Sequence, residues 1–379
     1  MWKKIINSIE TEIDDVKYGL ERLFGLQSPL QIKCYNGYGN DERLHVTGRV
    51  LVLADMPETG ASDSAWRNFI NVSRNWLTDD VPFAKLEARF RDQVIEVVAD
   101  EEGYFSVEIP FTGDHCGAAV WYQVELRLLD PVAKDDSPVK ETAFVQVPCK
   151  GSEFGVISDI DDTIIHTGAT SLIQMIRNVF LGNAHTRVVF NGLTALYDAL
   201  ARGTDGRGRN PFFYVTSSPW NLYDLIAHIF ELRSIPRGTL FMTDWGIDEE
   251  KFLISSHHSH KKDAIRKILN TYRELKFVLI GDSGQQDPEI YTDILEEFPG
   301  RILAVYIRDV TKDSRAESVK ALADRAVKQG VDLVLSEESY IVAEHAVANS
   351  LIRKCELPAI YGQQLTDREE AVDEGAPPV

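Results

Sequence analysis

The spacing of apolar residues changes twice along the chain. Over residues 3–24, apolar positions recur every three or four residues, which predicts an amphipathic helix that ends at Gly25. From about residue 30 to residue 148, β-branched and aromatic residues partly alternate with polar ones, a pattern that predicts short strands. Beyond about residue 150, short continuous apolar runs alternate with stretches of helical periodicity.

The strand-like region predicts an all-β module. Turn signals separate its apolar runs, as in DEEG at residues 100–103. Short strands at this spacing are typical of a β-sandwich. The predicted strands are HVTGRVLVLA, KLEARF, QVIEVVAD, YFSVEIPF, VWYQVELRLL and TAFVQVPC.

The region beyond residue 150 predicts an α/β domain with a parallel sheet. Its runs GVISDI, PFFYVT, KFVLIG and RILAVYI are typical of strands that are buried on both faces and alternate with helices. The final segment is acidic and contains Pro and Gly, which predicts a disordered tail. The predicted organisation is an N-terminal helix over 1–29, a β-sandwich over 30–150, the α/β domain over 151–357 and the tail over 358–379.

Composition narrows the class of protein. The chain has 379 residues, of which 44% are hydrophobic and 26% charged, as expected for two ordinary globular domains. No apolar run approaches the length of a membrane span, and the first ten residues lack the apolar core of a signal peptide. The four cysteines are scattered and form no CxxC pair, so we expect a reducing, cytoplasmic setting.

The net charge restricts the partners. A formal charge of −19 repels phosphate backbones and therefore disfavours nucleic acid as a partner. It also argues against broad adhesion to anionic membranes, so we expect at most peripheral membrane contact. An anionic substrate would need a locally positive site, which a metal ion, a lysine and backbone amides could supply. The sequence predicts no oligomeric state.

The first apolar run of the α/β region ends in SDIDDTI. Asp159, Asp161 and Thr163 occupy alternate positions there, and alternate residues of a strand point the same way. One carboxylate can attack phosphorus, and the other can transfer protons. Because two anions repel a phosphate, this chemistry requires a divalent cation, and Mg²⁺ suits oxygen ligands. A solvated acidic turn is the alternative interpretation of this motif alone.

Two further features follow in order along the chain. The run PFFYVT leads to Thr216, Ser217 and Ser218, whose hydroxyl and backbone N–H groups could cradle a phosphate or cap the next helix. The helix SHKKDAIRKIL opens with Lys261 and Lys262. One of these lysines could neutralise a phosphoryl group, although a solvated basic face is the usual role of such residues.

An acidic strand end is the last feature of the series. KFVLIGDSGQQDPEIY places Gly281 and Asp282 at the end of a strand, with Asp287 five residues later. A glycine there lets the backbone approach closely, and the acidic side chains could complete a metal shell. For Asp287, the start of the following helix is a serious alternative interpretation.

Taken in order, these motifs resemble the haloacid-dehalogenase-like phosphohydrolase superfamily. SDIDDTI, YVTSSPWNLY, SHK and IGDSGQQDPEIY more narrowly resemble the family of actin-patch-associated phosphatidate phosphatases, over about residues 155–350. This resemblance implies a haloacid-dehalogenase-like (Rossmann-like) α/β fold. It also implies Mg²⁺-dependent removal of phosphate from phosphatidate through an aspartyl-phosphate.

The resemblance also implies roles for individual residues. Asp159 is expected to be the nucleophile and Asp161 the general acid and base. The Asp159 carboxylate, the Asp161 backbone carbonyl and Asp282 are expected to hold Mg²⁺, with Asp287 in the outer shell. The remaining residues, expected to bind the phosphate, are Thr216, Ser217 and Lys261.

Two details of the phosphate-binding residues depend on the family pattern. The preference for Lys261 over Lys262 rests on the His-Lys pair of the family, since spacing alone leaves both open. Where the family usually shows Ser-Asn-Ser-Pro, this chain has Thr-Ser-Ser-Pro at 216–219. Threonine keeps the hydroxyl group, but the side chain of Ser217 is shorter than asparagine.

The HHSH sequence at 257–260 is interpreted as a loop before the lysine helix. Its histidines lack the spacing of metal ligands on a helix face and have no acidic or cysteine partner at ligand spacing.

Other functions stay open. One alternative is a phosphatase of a protein or a soluble phosphoester, and another is a scaffold with a vestigial catalytic domain, which the complete motif set disfavours. The intervals 166–210 and 219–260 are too short for a large cap domain, so the site is expected to be open and suited to a bulky substrate.

Overall fold

The computed structural model describes residues 29–52, 79–112, 121–133, 137–165, 189–243, 255–311 and 315–373. The helix predicted over residues 3–24 lies outside these ranges. None of the described helices is both long and apolar enough to cross a membrane.

The N-terminal half is all-β, which confirms that part of the predicted fold class. Its strands are β1 (Leu30–Cys34), β2 (Gly37–Gly39), β3 (Arg43–Val52), β4 (Asp79–Asp80), β5 (Lys85–Phe90), β6 (Gln93–Val98), β7 (Tyr104–Pro110), β8 (Trp121–Asp130) and β9 (Lys140–Gln146). They form one mixed sheet in the order β1-β3-β2-β9-β8-β5-β6, with β4 and β7 also paired to β3. The six predicted strands correspond to β3 and to β5 through β9.

This sheet folds over a single core. Along β7, Phe105, Val107 and Ile109 are buried while the residues between them are not, as expected for a strand with one apolar face. Buried side chains from β1, β3, β5, β7, β8 and β9 form one cluster. The Gln93 side chain at the start of β6 donates a hydrogen bond to the carbonyl of Pro110 at the end of β7, at 2.9 Å. The strands predicted to form a two-layered sandwich therefore belong to one continuous sheet.

The C-terminal half contains a six-stranded parallel sheet flanked by helices, which confirms the predicted α/β class. Its strands, in the order β12-β11-β10-β13-β14-β15 across the sheet, are β10 (Gly155–Asp159), β11 (Phe212–Pro219), β12 (Thr239–Thr243), β13 (Phe277–Asp282), β14 (Ile302–Arg308) and β15 (Asp332–Ser336). The helices are α1 (Leu193–Arg202), α2 (Tyr223–Leu232), α3 (Ser255–Thr271), α4 (Asp287–Glu297), α5 (Ala316–Lys328), α6 (Ser339–Ala348) and α7 (Leu357–Asp373). Short 3₁₀ turns, Trp220–Leu222 and Lys354–Glu356, precede α2 and α7.

Both faces of the parallel sheet are buried, which explains its continuous apolar strand sequences. Val156 and Tyr214 face a core that is shared with α1, α2 and α6. Their neighbours Ile157 and Phe213 face a second core that is shared with α3 and α4. From β10 the chain continues to β11 and β12 on one side of the sheet, and it then returns to the other side of β10 at β13. The switch point of the sheet therefore lies between β10 and β13. Open α/β sheets bind ligands at the carboxyl ends of such strands.

Two predictions about the C-terminal half are wrong. The segment 358–379, predicted to be disordered, is helical as far as Asp373, because Ile360 is buried in the core against α1 and α6. The acidic composition of this segment predicted disorder, although Ile360 anchors it to the core. The HHSH segment at 257–260, predicted to be a loop, lies inside α3, which begins at Ser255.

The β-rich half packs around the β12 edge of the parallel sheet. Tyr35 is buried in the core on the α1 and α2 side, and Tyr38 is buried in the core on the α3 and α4 side. Since these cores lie on opposite faces, the segment between the two tyrosines crosses the edge of the sheet. There the Asn36 side chain donates a hydrogen bond to the carbonyl of Gly238, at 3.1 Å. The β-rich half therefore completes both cores of the α/β half.

We expect Tyr35→Ala to destabilise the full-length chain by roughly 3–5 kcal/mol, as is typical when a buried aromatic side chain is removed. The Tyr35 ring also stacks on Trp220, with 4.2 Å between ring centroids. The substitution therefore also removes packing from the 3₁₀ turn that follows β11. Tyr361→Ala is the matched control, because Tyr361 is 47% exposed. Urea unfolding of the three proteins measures the effect, and equal stability of the two variants would contradict it.

Candidate active site

A tight turn after β10 sets the position of the first acidic pair. Asp159 ends the strand, and the backbone N–H groups of Ile164 and Ile165 both donate to the carbonyl of Ile160, at 2.9 and 3.0 Å. Asp162 has a φ of 56°, in the left-handed region that aspartate tolerates better than most residues. The turn therefore reverses the chain directly after Asp159.

Three buried carboxylates meet at the switch point. Asp159 ends β10, Asp282 ends β13, and Asp287 begins α4, and each offers an oxygen within 4.8 Å of the others. All three residues are at most 1% exposed. A Cβ atom on Gly281 would lie 2.5 Å from an Asp287 carboxylate oxygen, so only glycine permits this approach. The prediction that Gly281 allows close packing has this physical basis.

Lys261 is the buried counter-charge of this group. Its Nζ atom lies 2.8 Å from Oδ1 of Asp159 and 2.8 Å from Oδ1 of Asp287. Lys262 instead pairs with Asp293, which is 37% exposed, at 2.8 Å. The structure thus brings Lys261 to the acidic group and directs Lys262 away from it.

The electrostatics of the group follow from burial and charge crowding. Burial raises the pKa of Asp159 well above its usual range; Lys261 opposes the shift, and the neighbouring carboxylates add to it. Burial and the charge on Asp287 raise the pKa of Asp282 to about 7. Burial alone would lower the pKa of Lys261, but Asp159 and Asp287 outweigh it and raise this pKa. The lysine is therefore charged at neutral pH, and Asp159 and Asp282 hold protons more tightly than isolated carboxylates do.

Hydroxyl groups hold the second aspartate of the DxDxT motif. Thr216 Oγ1 donates a hydrogen bond to Oδ2 of Asp161 at 2.8 Å, and Ser218 Oγ donates to the same atom at 3.3 Å. Burial raises the pKa of Asp161, and the Thr216 hydrogen bond, Lys261 and the Ser218 hydrogen bond partly oppose this. A carboxyl group of this kind keeps its proton closer to neutral pH, as a general acid requires. Thr163 Oγ1 similarly donates to Oδ2 of Asp159, at 3.2 Å.

Ser217 is placed differently from its neighbours. It is partly exposed, and its backbone carbonyl accepts a hydrogen bond from the hydroxyl of Thr243 at 2.8 Å. Phosphate contacts of Ser217, Thr216 and Lys261 stay predictions. The Thr216 hydroxyl, which was assigned to phosphate, donates to Asp161 in this structure.

Sequence reasoning assigns no role to Thr163 or Gln285, and it gives Ser218 only a possible part in a phosphate cradle or helix cap. Thr163 and Ser218 stand inside recognised motifs, so their position is the available signal. Gln285 donates through Nε2 to the backbone carbonyl of Asp161 at 3.1 Å and accepts from Lys261 Nζ at 3.0 Å. Its only signal was its place between the two acidic residues of IGDSGQQDPEIY.

The donor set fits a hard divalent cation. Oδ1 of Asp282 accepts hydrogen bonds from the backbone N–H groups of Gly284 and Gln285, at 2.7 and 2.9 Å. Oδ2 of Asp282 is buried and receives no hydrogen bond from any of the described residues. A buried carboxylate oxygen without a donor is costly unless a cation compensates it. Clustered carboxylate oxygens of this kind are the ligands that Mg²⁺ prefers.

Comparison with known proteins agrees with this description. A parallel sheet with an acidic group at its switch point places this half of the chain among the α/β proteins whose sites lie at the carboxyl ends of strands. Residues 154–309 match the family described as phosphatidate phosphatase APP1, catalytic domain. The family resemblance inferred from the motifs is thereby confirmed over this segment.

Individual relatives cover the chain only in part. Phosphatidate phosphatase APP1 of Saccharomyces cerevisiae is 34% identical over 187 residues, which are 49% of this chain and 31% of that protein. An uncharacterized protein of Schizosaccharomyces pombe is 26% identical over 249 residues, which are 62% of this chain and 39% of that protein. The chain thus spans well under half the length of these relatives. A carbohydrate acetylesterase from Xanthomonas citri aligns over 91% of this chain and 76% of its own, with 9% identity and a TM-score of 0.30, which is too low to indicate a shared fold.

We expect Asp282→Asn to stabilise the cation-free protein at about pH 8, by on the order of 1–3 kcal/mol, because one pKa unit is worth about 1.4 kcal/mol. The folded-state pKa of Asp282 is raised above its unfolded value, so wild-type stability from this group increases as the pH falls through the folded pKa. The advantage of the variant should therefore shrink toward about pH 5. Urea unfolding in EDTA at several pH values measures the difference in stability between the variant and wild type. A difference that does not change with pH would contradict a raised folded-state pKa of Asp282.

Proposed function

We propose that the chain is a Mg²⁺-dependent phosphatase that acts through an aspartyl-phosphate, with phosphatidate as its substrate. One observation supports this most directly. The Asp159 carboxylate lies at the switch point of the sheet with an ammonium group 2.8 Å away and two further carboxylates within 4.8 Å. Such a group can attack phosphorus while the positive charge beside it stabilises the transferring phosphoryl group.

The reaction has two half-steps, which Asp159 and Asp161 share. A carboxylate oxygen of Asp159 attacks phosphorus, the bond from phosphorus to the ester oxygen breaks, and Asp161 donates its proton to that oxygen. Asp161 then accepts a proton from water as the water oxygen attacks the phosphorus. The bond from phosphorus to Asp159 breaks, which releases phosphate and restores both side chains.

Within this proposal, the cation site consists of the Asp159 and Asp282 carboxylates and the backbone carbonyl of Asp161, with Asp287 in the outer shell. A bound Mg²⁺ would neutralise negative charge on the phosphoryl oxygens. Lys261 would add a second positive charge beside the phosphoryl group. Thr216 and Ser218 hold the Asp161 carboxyl group in place through their hydroxyls.

The substrate assignment draws on the relatives. Both the matched family and the Saccharomyces cerevisiae relative are named for phosphatidate. The proposed setting is the cytoplasm, with peripheral contact at a membrane that supplies the lipid. The expectation of an open site concerns the intervals 166–210 and 219–260. Residues 166–188 and 244–254 of these intervals lie outside the described ranges, so it stays a prediction.

We expect Asp159→Asn to abolish turnover, because an amide neither attacks phosphorus nor binds Mg²⁺ well. Asp161→Asn should lower the rate by about 10²–10⁴-fold, the usual contribution of general acid–base catalysis. Phosphate release from phosphatidate vesicles and from p-nitrophenyl phosphate, with Mg²⁺ or with EDTA, tests both variants against wild type.

The pattern of rates separates the alternatives. Much faster release from small soluble phosphoesters than from phosphatidate would favour a soluble-ester phosphatase. No release from any substrate would favour a scaffold with a vestigial site. Full activity in EDTA, or in Asp159→Asn, would refute the proposed mechanism.

Lys261→Met and Lys262→Met form a matched pair of neighbouring substitutions. We expect Lys261→Met to lose at least about 10²-fold in kcat/KM, because a buried positive charge beside the phosphoryl group is removed. Lys262→Met should stay close to wild type, since it loses only a partly exposed ion pair. Circular dichroism establishes that both variants are folded, and a larger loss in Lys262→Met would contradict the assignment.

A further inference from the structure

Gln285 connects the two loops that form the site. Gln285 follows β13, which ends at Asp282. Its side chain reaches to the turn after β10, where Nε2 donates to the backbone carbonyl of Asp161 at 3.1 Å. Its Oε1 accepts a hydrogen bond from Lys261 Nζ at 3.0 Å. One amide thus contacts both the residue proposed to move protons and the residue proposed to neutralise the phosphoryl group.

The chemistry of the two contacts fixes the orientation of the amide. A lysine ammonium can only donate, and a backbone carbonyl can only accept. Oε1 must therefore face Lys261, and Nε2 must face Asp161. Neither a carboxylate nor an apolar side chain of the same size could make both contacts.

The backbone of Gln285 is also held at both of its polar groups. Its N–H group donates to Oδ1 of Asp282 at 2.9 Å. Its carbonyl accepts a hydrogen bond from Arg315, which also donates to the carbonyl of Ser283 at 2.8 Å and pairs with Glu289. The side chain therefore extends from a loop that is fixed independently of the contacts it makes.

Lys261 has three acceptor oxygens around its ammonium group, as many as it has N–H bonds. Two belong to the carboxylates of Asp159 and Asp287, at 2.8 Å each, and the third is Oε1 of Gln285. Gln285 supplies the only uncharged acceptor of the three. Without it, the direction of the third N–H bond would no longer be fixed.

We propose that Gln285 is a positioning residue, which fixes the Asp161 carbonyl for the cation and the Lys261 ammonium for the phosphoryl group. This inference rests on the proposed function. Residues that orient metal ligands typically contribute 10–100-fold to metal affinity or activity. The contribution of Gln285 should therefore appear in Mg²⁺ affinity as well as in turnover.

The test compares Gln285→Met with Gln286→Met in the full-length chain. Methionine keeps the length of glutamine and removes both hydrogen bonds, and Gln286 is the exposed next residue of the same loop. Mg²⁺ binding is measured by calorimetry without any phosphoester. Turnover of phosphatidate is measured separately, and urea unfolding in EDTA reports stability.

We expect Gln285→Met to bind Mg²⁺ about 10–100-fold more weakly and to lose a similar factor in kcat, while KM changes little and Gln286→Met matches wild type. Unchanged Mg²⁺ affinity and kcat in Gln285→Met would overturn the proposal, and so would a loss of stability alone. If wild type binds Mg²⁺ but hydrolyses no phosphoester, the proposed function fails. The Mg²⁺ affinities of the two variants and wild type then still test the role of Gln285. A wild type that binds no Mg²⁺ would overturn both.

Discussion

Among the described residues, three buried carboxylates share one buried ammonium group, and the rest of the site depends on this imbalance of charge. With every group ionised, Asp159, Asp282 and Asp287 exceed Lys261 by two negative charges, in surroundings that solvate charge poorly. Raised carboxyl pKa values are one response to this excess, and a divalent cation would carry the charge that cancels it. The stability of the empty site and its affinity for a cation therefore have the same electrostatic origin.

The order of strands turns distant residues into neighbours. β10 and β13 lie side by side although β11 and β12 come between them in the chain, so Asp159 and Asp282 end adjacent strands. Lys261 lies on α3, in the crossover that leads to β13, and Asp287 begins the helix that leaves β13. The position of each charge thus follows from the topology of the parallel sheet, while Gly281 supplies the space that the last of them requires.

Periodicity and topology rules made the parallel sheet and the position of its acidic site predictable from the sequence. Continuous apolar runs identified the parallel strands, and acidic residues at strand ends indicated the site, because parallel strands end at one edge of the sheet. Side-chain direction within loops was not predictable: the Thr216 hydroxyl meets Asp161, and Gln285 reaches Lys261, through tertiary contacts that leave no local pattern. Helix α7 was missed because Ile360 is an apolar anchor within an acidic sequence.

The segment that crosses the β12 edge also affects how the molecule meets other molecules. An edge strand presents unpaired N–H and C=O groups, which can template pairing with another chain. Near this edge the Thr239 hydroxyl donates to the carbonyl of Gly37 at 2.9 Å, and Tyr38 packs beside Phe241 with 5.3 Å between ring centroids. The β-rich half therefore shields the β12 edge from β-augmentation. Among the described strands, β15 forms the opposite edge of the parallel sheet.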